Sequence, residues 1–292
     1  MIRIGTSGYS YDDWIGPFYP PGLSKGAFLR FYSQRFCTVE VNMTYYRLPA
    51  PSQVASWCRR TPSSFDFVIK AHRSLTHERA ADAPGGAARD LLASIGPLVE
   101  EGRLGAVLAQ FPNSFRPDDA AREYLQRLPA ALAGTHVICE FRHAEWATDE
   151  TLALLTSLGM GYCCVDEPRL RGLMPPLAVR TSPIGYVRFH GRNASKWYSH
   201  EEAYERYDYG YSTAELTEWV GGVKEITEGA EGTYVFFNNH YQAKAPANAM
   251  MFADLLLEAG LGIAAPQQQT GRPPLRAKRH DALTGELRLG DD

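Results

Sequence analysis

Carboxylate, guanidinium, amine, amide and imidazole side chains recur at one place in this sequence, the end of each short apolar run. "THVICEFR" (135–142) ends in Glu140 and Arg142, "TVEVNMTYY" (38–46) carries Glu40, Asn42 and Tyr45, and "FDFVIKAH" (65–72) carries Lys70 and His72. Gln110 lies near the end of "LGAVLAQF" (104–111) and Asp166 near the end of "GYCCVDE" (161–167). Arg188 and His190 close "IGYVRFHG" (184–191), with Arg192 just beyond, and Asn238 and Asn239 finish "GTYVFFNN" (232–239). Three chemistries can use such a set. Glu40, Glu140 or Asp166 can act as a base, with His72 or His190 as proton carrier. Glu40, Glu140, Asp166 and His190 also offer oxygen and imidazole donors to a divalent metal, although no H-E-x-x-H or H-x-H spacing supports one. Lys70, Arg142, Arg188, Arg192 and Lys244 can hold a phosphate or carboxylate, the arginines through paired bonds.

These groups need elements that aim them at one place. With "IRIGTS" (2–7), the runs make eight strand candidates. Helical patterns lie between them, at 26–36, 51–60, 87–102, 118–132, 149–159, 213–228 and 246–260. Ser212 and Glu215 have capping-box spacing at the entry of the helix near 213. Such alternation favours parallel strands joined by crossovers, and eight of them favour a closed (β/α)8 TIM-type barrel. A doubly wound open sheet is the runner-up, without a G-x-G-x-x-G after the first strand. "PRLRGLMPPLAVRTSP", after the sixth strand, is too rich in proline for a regular helix. The expected organisation is a single barrel domain over 1–262 followed by a mobile tail over 263–292.

Strand side chains alternate between faces, so Glu40 pairs with Asn42, Lys70 with His72, Glu140 with Arg142, and Arg188 with His190; only one of Asn238 and Asn239 can face inward. In a barrel the C-terminal ends of the strands host the active site. Charged groups near a barrel axis can equally pair and satisfy the interior, but polar ends on seven strands favour a shared pocket. Gly191 in "HGRNASKW" and Lys244 in "NNHYQAKAPANA" lie in the loops where barrels often bind phosphate; a relieved turn and a solvated lysine are the plainer readings. "KWYSHEEAYERYDYGYS" (196–212) and "SGYSYDDWIGPFYPPG" after the first strand are dense in aromatic residues, suited to cover the mouth and stack on a sugar or base, or to pin the loops down.

A net charge of -3 gives no electrostatic case for a general nucleic-acid or membrane binder. Five cysteines, Cys37, Cys58, Cys139, Cys163 and Cys164, lack framework spacing, so reduced thiols and a cytoplasmic location are expected. The first residues lack the apolar core of a signal peptide, and no stretch has the apolar length of a membrane span.

The motifs "IRIGTSGYSYDDWIGPFYP", "TVEVNMTYYRLP", "FVIKAHRSLTH", "AQFP", "CEFRHAEW", "VRFHGRN" and "YVFFNNHYQAKAPANA" occur in that order. Together they resemble domain-of-unknown-function family 72, the YecE-like proteins, over residues 1 to about 260. The resemblance implies a barrel of the (β/α)8 kind with a site at the strand C-termini, and brings no settled reaction. Its motifs fall on Ser7, Glu40, Asn42, Tyr45, Lys70, Gln110, Glu140, Arg142, Trp146, Asp166, Arg188, His190, Gly191, Asn238 and Asn239.

The preferred expectation is an enzyme of hydrolase or lyase type acting by acid–base chemistry on a small anionic or polyhydroxylated molecule. Glu40, Glu140, His190 and Asp166 are its catalytic candidates, and Ser7, Asn42, Tyr45, Lys70, His72, Gln110, Arg142, Trp146, Arg188, Arg192, Asn238 and Asn239 its binding candidates. No cofactor is indicated and no oligomeric state follows. The alternatives are a metal-dependent phosphoesterase or nuclease, and a noncatalytic binder of a nucleotide, sugar or RNA.

Overall fold

The computed structural model describes residues 1–79 and 83–267, so most of the expected tail lies outside the described residues. Among the described residues nine parallel strand segments occur: β1 (Ile2–Thr6), β2 (Thr38–Val41), β3 (Asp66–Lys70), β4 (Leu104–Gln110), β5 (Val137–Glu140), β6 (Gly161–Tyr162), β7 (Cys164–Asp166), β8 (Ile184–Phe189) and β9 (Gly232–Phe237). They form two runs of neighbours, β2-β3-β4-β5-β6 and β1-β9-β8-β7. The runs meet at both edges. Cys163 alone separates β6 from β7 and donates its N–H to the Cys139 carbonyl at 2.9 Å. On the other side, Ser7 bridges Glu40, and Gly8 N–H donates to the Glu40 carbonyl at 2.8 Å. With β6 and β7 sharing one place, the ring has eight strand positions, the (β/α)8 architecture expected.

These segments pair as parallel strands because their residues are apolar on both faces, one toward the axis and one toward the helices. α1 (Lys25–Tyr32), α2 (Pro51–Arg60), α3 (Gly85–Glu100), α4 (Asp119–Ala131), α5 (Asp149–Ser157), α6 (Thr213–Thr217), α7 (Val220–Thr227) and α8 (Lys244–Glu258) supply the outer layer. In α2 the buried Val54, Trp57 and Cys58 fall three and four residues apart on one face, as a helix over a sheet requires. The capping box at Ser212 and Glu215 is present at the start of α6, but the expected helix over 213–228 is two helices, α6 and α7, that meet at Trp219. No helix lies between Asp166 and Ile184, in keeping with the prolines there.

The interior is layered. At the base, Asp66 accepts from Tyr234 at 3.0 Å and pairs with Arg3 at 2.5 Å. Above it Val68, Ala106, Leu108, Ile138 and Phe236 form a dry floor, all fully buried. The polar layer lies beyond this floor, at the C-terminal ends of the strands. Ile263 bridges Ile2 below the barrel, so pairing continues just past residue 262. Among the described residues no helix is long and apolar enough to cross a membrane, and all five cysteines are free and buried.

Candidate functional site

Strand β8 supplies the centre of the mouth. Its alternate residues Tyr186, Arg188 and then His190 point inward, and all three are buried. Arg188 joins two carboxylates, with Nη2 to Glu40 Oε1 at 2.7 Å and Nη1 to Glu140 Oε2 at 2.5 Å; Nη2 also reaches Ser7 Oγ at 3.3 Å. Tyr186 donates its hydroxyl to Glu40 Oε2 at 2.7 Å. Glu140 Oε1 takes Arg142 at 2.7 Å and His190 Nε2 at 3.2 Å. Asn238 Nδ2 donates to His190 Nδ1 at 3.1 Å, which places the imidazole hydrogen on Nε2, facing Glu140. All four carboxylate oxygens of Glu40 and Glu140 are therefore engaged.

Environment assigns these groups different work. Burial alone would raise the Glu140 carboxyl, but Arg142, Arg188 and His190 outweigh it and hold the group well below the usual range. Burial, reinforced by Arg142, drives His190 down to about 3, so it is neutral at physiological pH. At neutral pH Glu140 is thus charged and His190 uncharged, each held by fixed partners. The groups poised near neutrality are others. Burial and then the charge of Arg188 bring Lys70 down to about 7. Burial raises Glu167 to about 7 against the pull of Arg142, which lies 3.3 Å from Glu167 Oε2.

Lys70 ends β3 at the rim. Its Nζ donates to Gln110 Oε1 at 2.8 Å and lies 4.6 Å from the Tyr45 ring centroid. Among the described residues no carboxylate is within ion-pair distance of it. Asn42 follows β2 beside Lys70, since Val41 is in register with Ile69, and its buried Oδ1 has no hydrogen-bond partner among the described residues. Ser7, Glu40, Asn42, Tyr45, Lys70, Gln110, Glu140, Arg142, Arg188, His190 and Asn238 thus cluster at the C-terminal ends of the strands.

Five expected site residues sit elsewhere, and a sixth candidate, Lys244, is already paired. Asp166 points to the helix layer, where Arg192 grips it through Nε at 2.9 Å and Nη2 at 2.8 Å, and Tyr211 and Trp219 each donate to it at 2.7 Å. Arg192 leaves the strand alternation because Gly191 has φ +91° and turns the chain outward. His72 bonds Ser74 Oγ at 2.9 Å and accepts from the Ser74 N–H, fastening a π-helical turn (Ser74–Glu78). Trp146 is fully buried, donates to the Phe115 carbonyl at 2.7 Å and stacks on Phe141 at 4.4 Å, behind the strands. Asn239 bonds the Tyr209 carbonyl and Asn248 outside the ring, leaving Asn238 as the inward amide. Lys244, at the start of α8, is paired with Asp208.

Sequence reasoning missed Glu167, Tyr186 and His77. Tyr186 was legible, lying two residues before Arg188 on the same face. Glu167 sits next to the chosen Asp166, in a stretch buried on both faces that carries no alternation to decide between them. His77 rides on the π-helical turn and packs edge-on to Tyr45 at 5.0 Å; no strand periodicity reaches it. Of the aromatic loops, Trp197 and Tyr211 are buried, Tyr11 stacks on His240 at 4.7 Å, and Trp14 donates to the His240 carbonyl at 2.7 Å. Those contacts pin the loops together at the mouth.

A family model described as "Protein of unknown function DUF72" matches residues 3–272. The chain is 27% identical to the UPF0759 protein YunF of Bacillus subtilis, over 88% of this chain and 95% of that protein. It is 30% identical to the UPF0759 protein YecE of Escherichia coli, over 44% of this chain and 45% of that one. A solved DUF72 family protein from Thermotoga maritima is 39% identical, covers 88% of this chain and 99% of its own, and superposes with a TM-score of 0.82. One from Enterococcus faecalis is 25% identical, with a TM-score of 0.79 over 92% of this chain and 99% of its own.

Proposed function

We propose, for a chain that belongs to the DUF72 family, that the barrel mouth is the active site of an enzyme acting by acid–base chemistry on a small molecule that carries both an anionic group and hydroxyls. The observation that carries this reading is the state of Lys70. An amine without a carboxylate partner among the described residues, flanked by Arg142 and Arg188, stands beside the orphan acceptor of Asn42. An anion bound there would relieve the crowding of positive charge, and a ligand hydroxyl would satisfy Asn42 Oδ1. Arg142, with 12% of its side chain exposed, is the guanidinium open to such a ligand. Lys70 and Glu167 carry the proton transfers, being the groups whose charge changes near neutral pH. Glu140, Glu40 and Arg188 hold the frame rigid.

The metal-dependent reading fits these residues poorly. The oxygens of Glu40 and Glu140 already face protein donors, and among the described residues no group of three or more His, Cys, Asp or Glu is arranged to hold an ion. The test is thermal unfolding against a panel of sugar phosphates, hydroxy acids and their neutral analogues. Concentration-dependent stabilisation by an anionic member, lost in Arg142→Ala, supports the reading. A flat panel, or stabilisation indifferent to both Arg142→Ala and Lys70→Ala, removes it.

A further inference from the structure

We infer that Lys70 is a nucleophile: its amine forms a reversible imine with an aldehyde or ketone that also bears a carboxylate or phosphate. This rests on the mouth being the active site. Lys70 differs from the paired cations around it. Arg188 is locked between Glu40 and Glu140, and Arg142 between Glu140 and Glu167. Lys70 has an amide oxygen and an aromatic face instead. Gln110 Oε1 takes one hydrogen of Nζ and fixes the direction of the side chain, leaving the nitrogen at a half-buried rim position. Arg188, Arg142, Glu140 and Glu40 act on it from the barrel interior, and Tyr45 and His77 face it from the loops. Burial and the two guanidinium groups favour the uncharged amine, the form that attacks carbonyl carbon. Arg142, the one of the two with part of its side chain exposed, would hold the anionic end of the substrate.

In the step proposed, the Nζ lone pair forms a bond to the carbonyl carbon and the C=O π bond opens to a hydroxyl. Loss of water then gives C=N, with both amine hydrogens leaving on that water. No oxidant or metal enters. The imine is an electron sink for the carbon next to it, so the class of chemistry that follows is proton removal or carbon–carbon cleavage at that position, within the scope of a lyase.

Reductive trapping tests this. Full-length protein is incubated with sodium cyanoborohydride and, separately, pyruvate, glyoxylate, dihydroxyacetone phosphate or neutral dihydroxyacetone, and the sites of adduct are mapped by peptide mass spectrometry. The expected result is an adduct at Lys70 at least tenfold above that at Lys25, Lys196 and Lys224, with an anionic carbonyl preferred over neutral dihydroxyacetone. Lys70→Arg should abolish it with an unchanged far-ultraviolet circular dichroism spectrum. Labelling of Lys70 no faster than the other lysines overturns the inference. If the anion panel still stabilises the protein in that case, the pocket reading stands and only the covalent step falls; if both fail, the pocket reading falls too.

Discussion

Arg188 Nη1 and Glu140 Oε2 meet at 2.5 Å inside the barrel, where the arginine is 1% exposed and the glutamate 0%. Removing one partner of such a pair strands the other without water, at a cost of about 3–5 kcal/mol. Glu140→Gln and Arg188→Met should each lower the unfolding free energy by about 3 kcal/mol, and the double variant should lose clearly less than their sum. Urea unfolding of the four proteins in the cycle gives the answer. Additive losses would show that the two residues do not depend on each other.

Lys70 predicts the opposite sign. Its folded value is about 7 against the ordinary 10.5. Between those limits the unfolded chain holds a proton that the folded protein lacks, so this residue's contribution to stability rises with pH across the window. Below pH 7 its penalty is complete. Lys70→Met should therefore stabilise the protein by about 1–2 kcal/mol at pH 6–7, with the gain shrinking toward pH 10.5. Melting temperatures measured from pH 6 to 10 check this, and a gain independent of pH would contradict it.

His190 works at the acid end. Its folded value of about 3 lies below the ordinary 6.5, so between these the unfolded chain binds a proton that the native one does not, and stability rises with pH. The depressed Glu140 carboxyl adds stability that is present above about 4.5 and lost as pH falls further. Stability should accordingly decline from pH 6.5 downward. His190→Gln should flatten the upper part of that decline, between pH 6.5 and 4.5, in denaturant titrations at fixed ionic strength.

Trp146 and Asp166 separate structure from function. Trp146→Ala removes a stacked, fully buried indole, for a cost of about 3–5 kcal/mol. Asp166→Asn weakens a carboxylate that holds Arg192, Tyr211 and Trp219 together outside the ring. Both should lower the melting temperature while leaving the midpoint for any stabilising anion unchanged. A shifted midpoint in either variant would bring that residue back to the mouth.

The barrel and its polar mouth were legible because seven of the eight apolar runs carry their polar residues at the same end, as a site at the strand C-termini of a barrel requires. Individual placements failed where the alternation stopped. The glycine turn at Gly191 sent Arg192 outward. The doubly buried run around Cys163 hid which of Asp166 and Glu167 faces in. Trp146 and His72 lie past the strand ends, in turns whose side chains fold back to fasten the loops. Proton affinities were less legible still. The residue types suggested Glu140 and His190 as proton carriers, whereas burial, then neighbouring charge, brings Lys70 and Glu167 toward neutrality and moves Glu140 and His190 away from it.

On the ribosome, β1 emerges long before the strand it must pair with. Ile2–Thr6 lie in register with Thr233–Phe237 of β9, and translation at about 5–20 residues per second separates the two by on the order of ten to fifty seconds. Through that interval an apolar strand end waits with an unpaired edge, which is a hazard for association between nascent chains. Truncations that stop before Gly232 should therefore aggregate, since every residue of the polar mouth on β2 to β8 would then sit in a ring that cannot close.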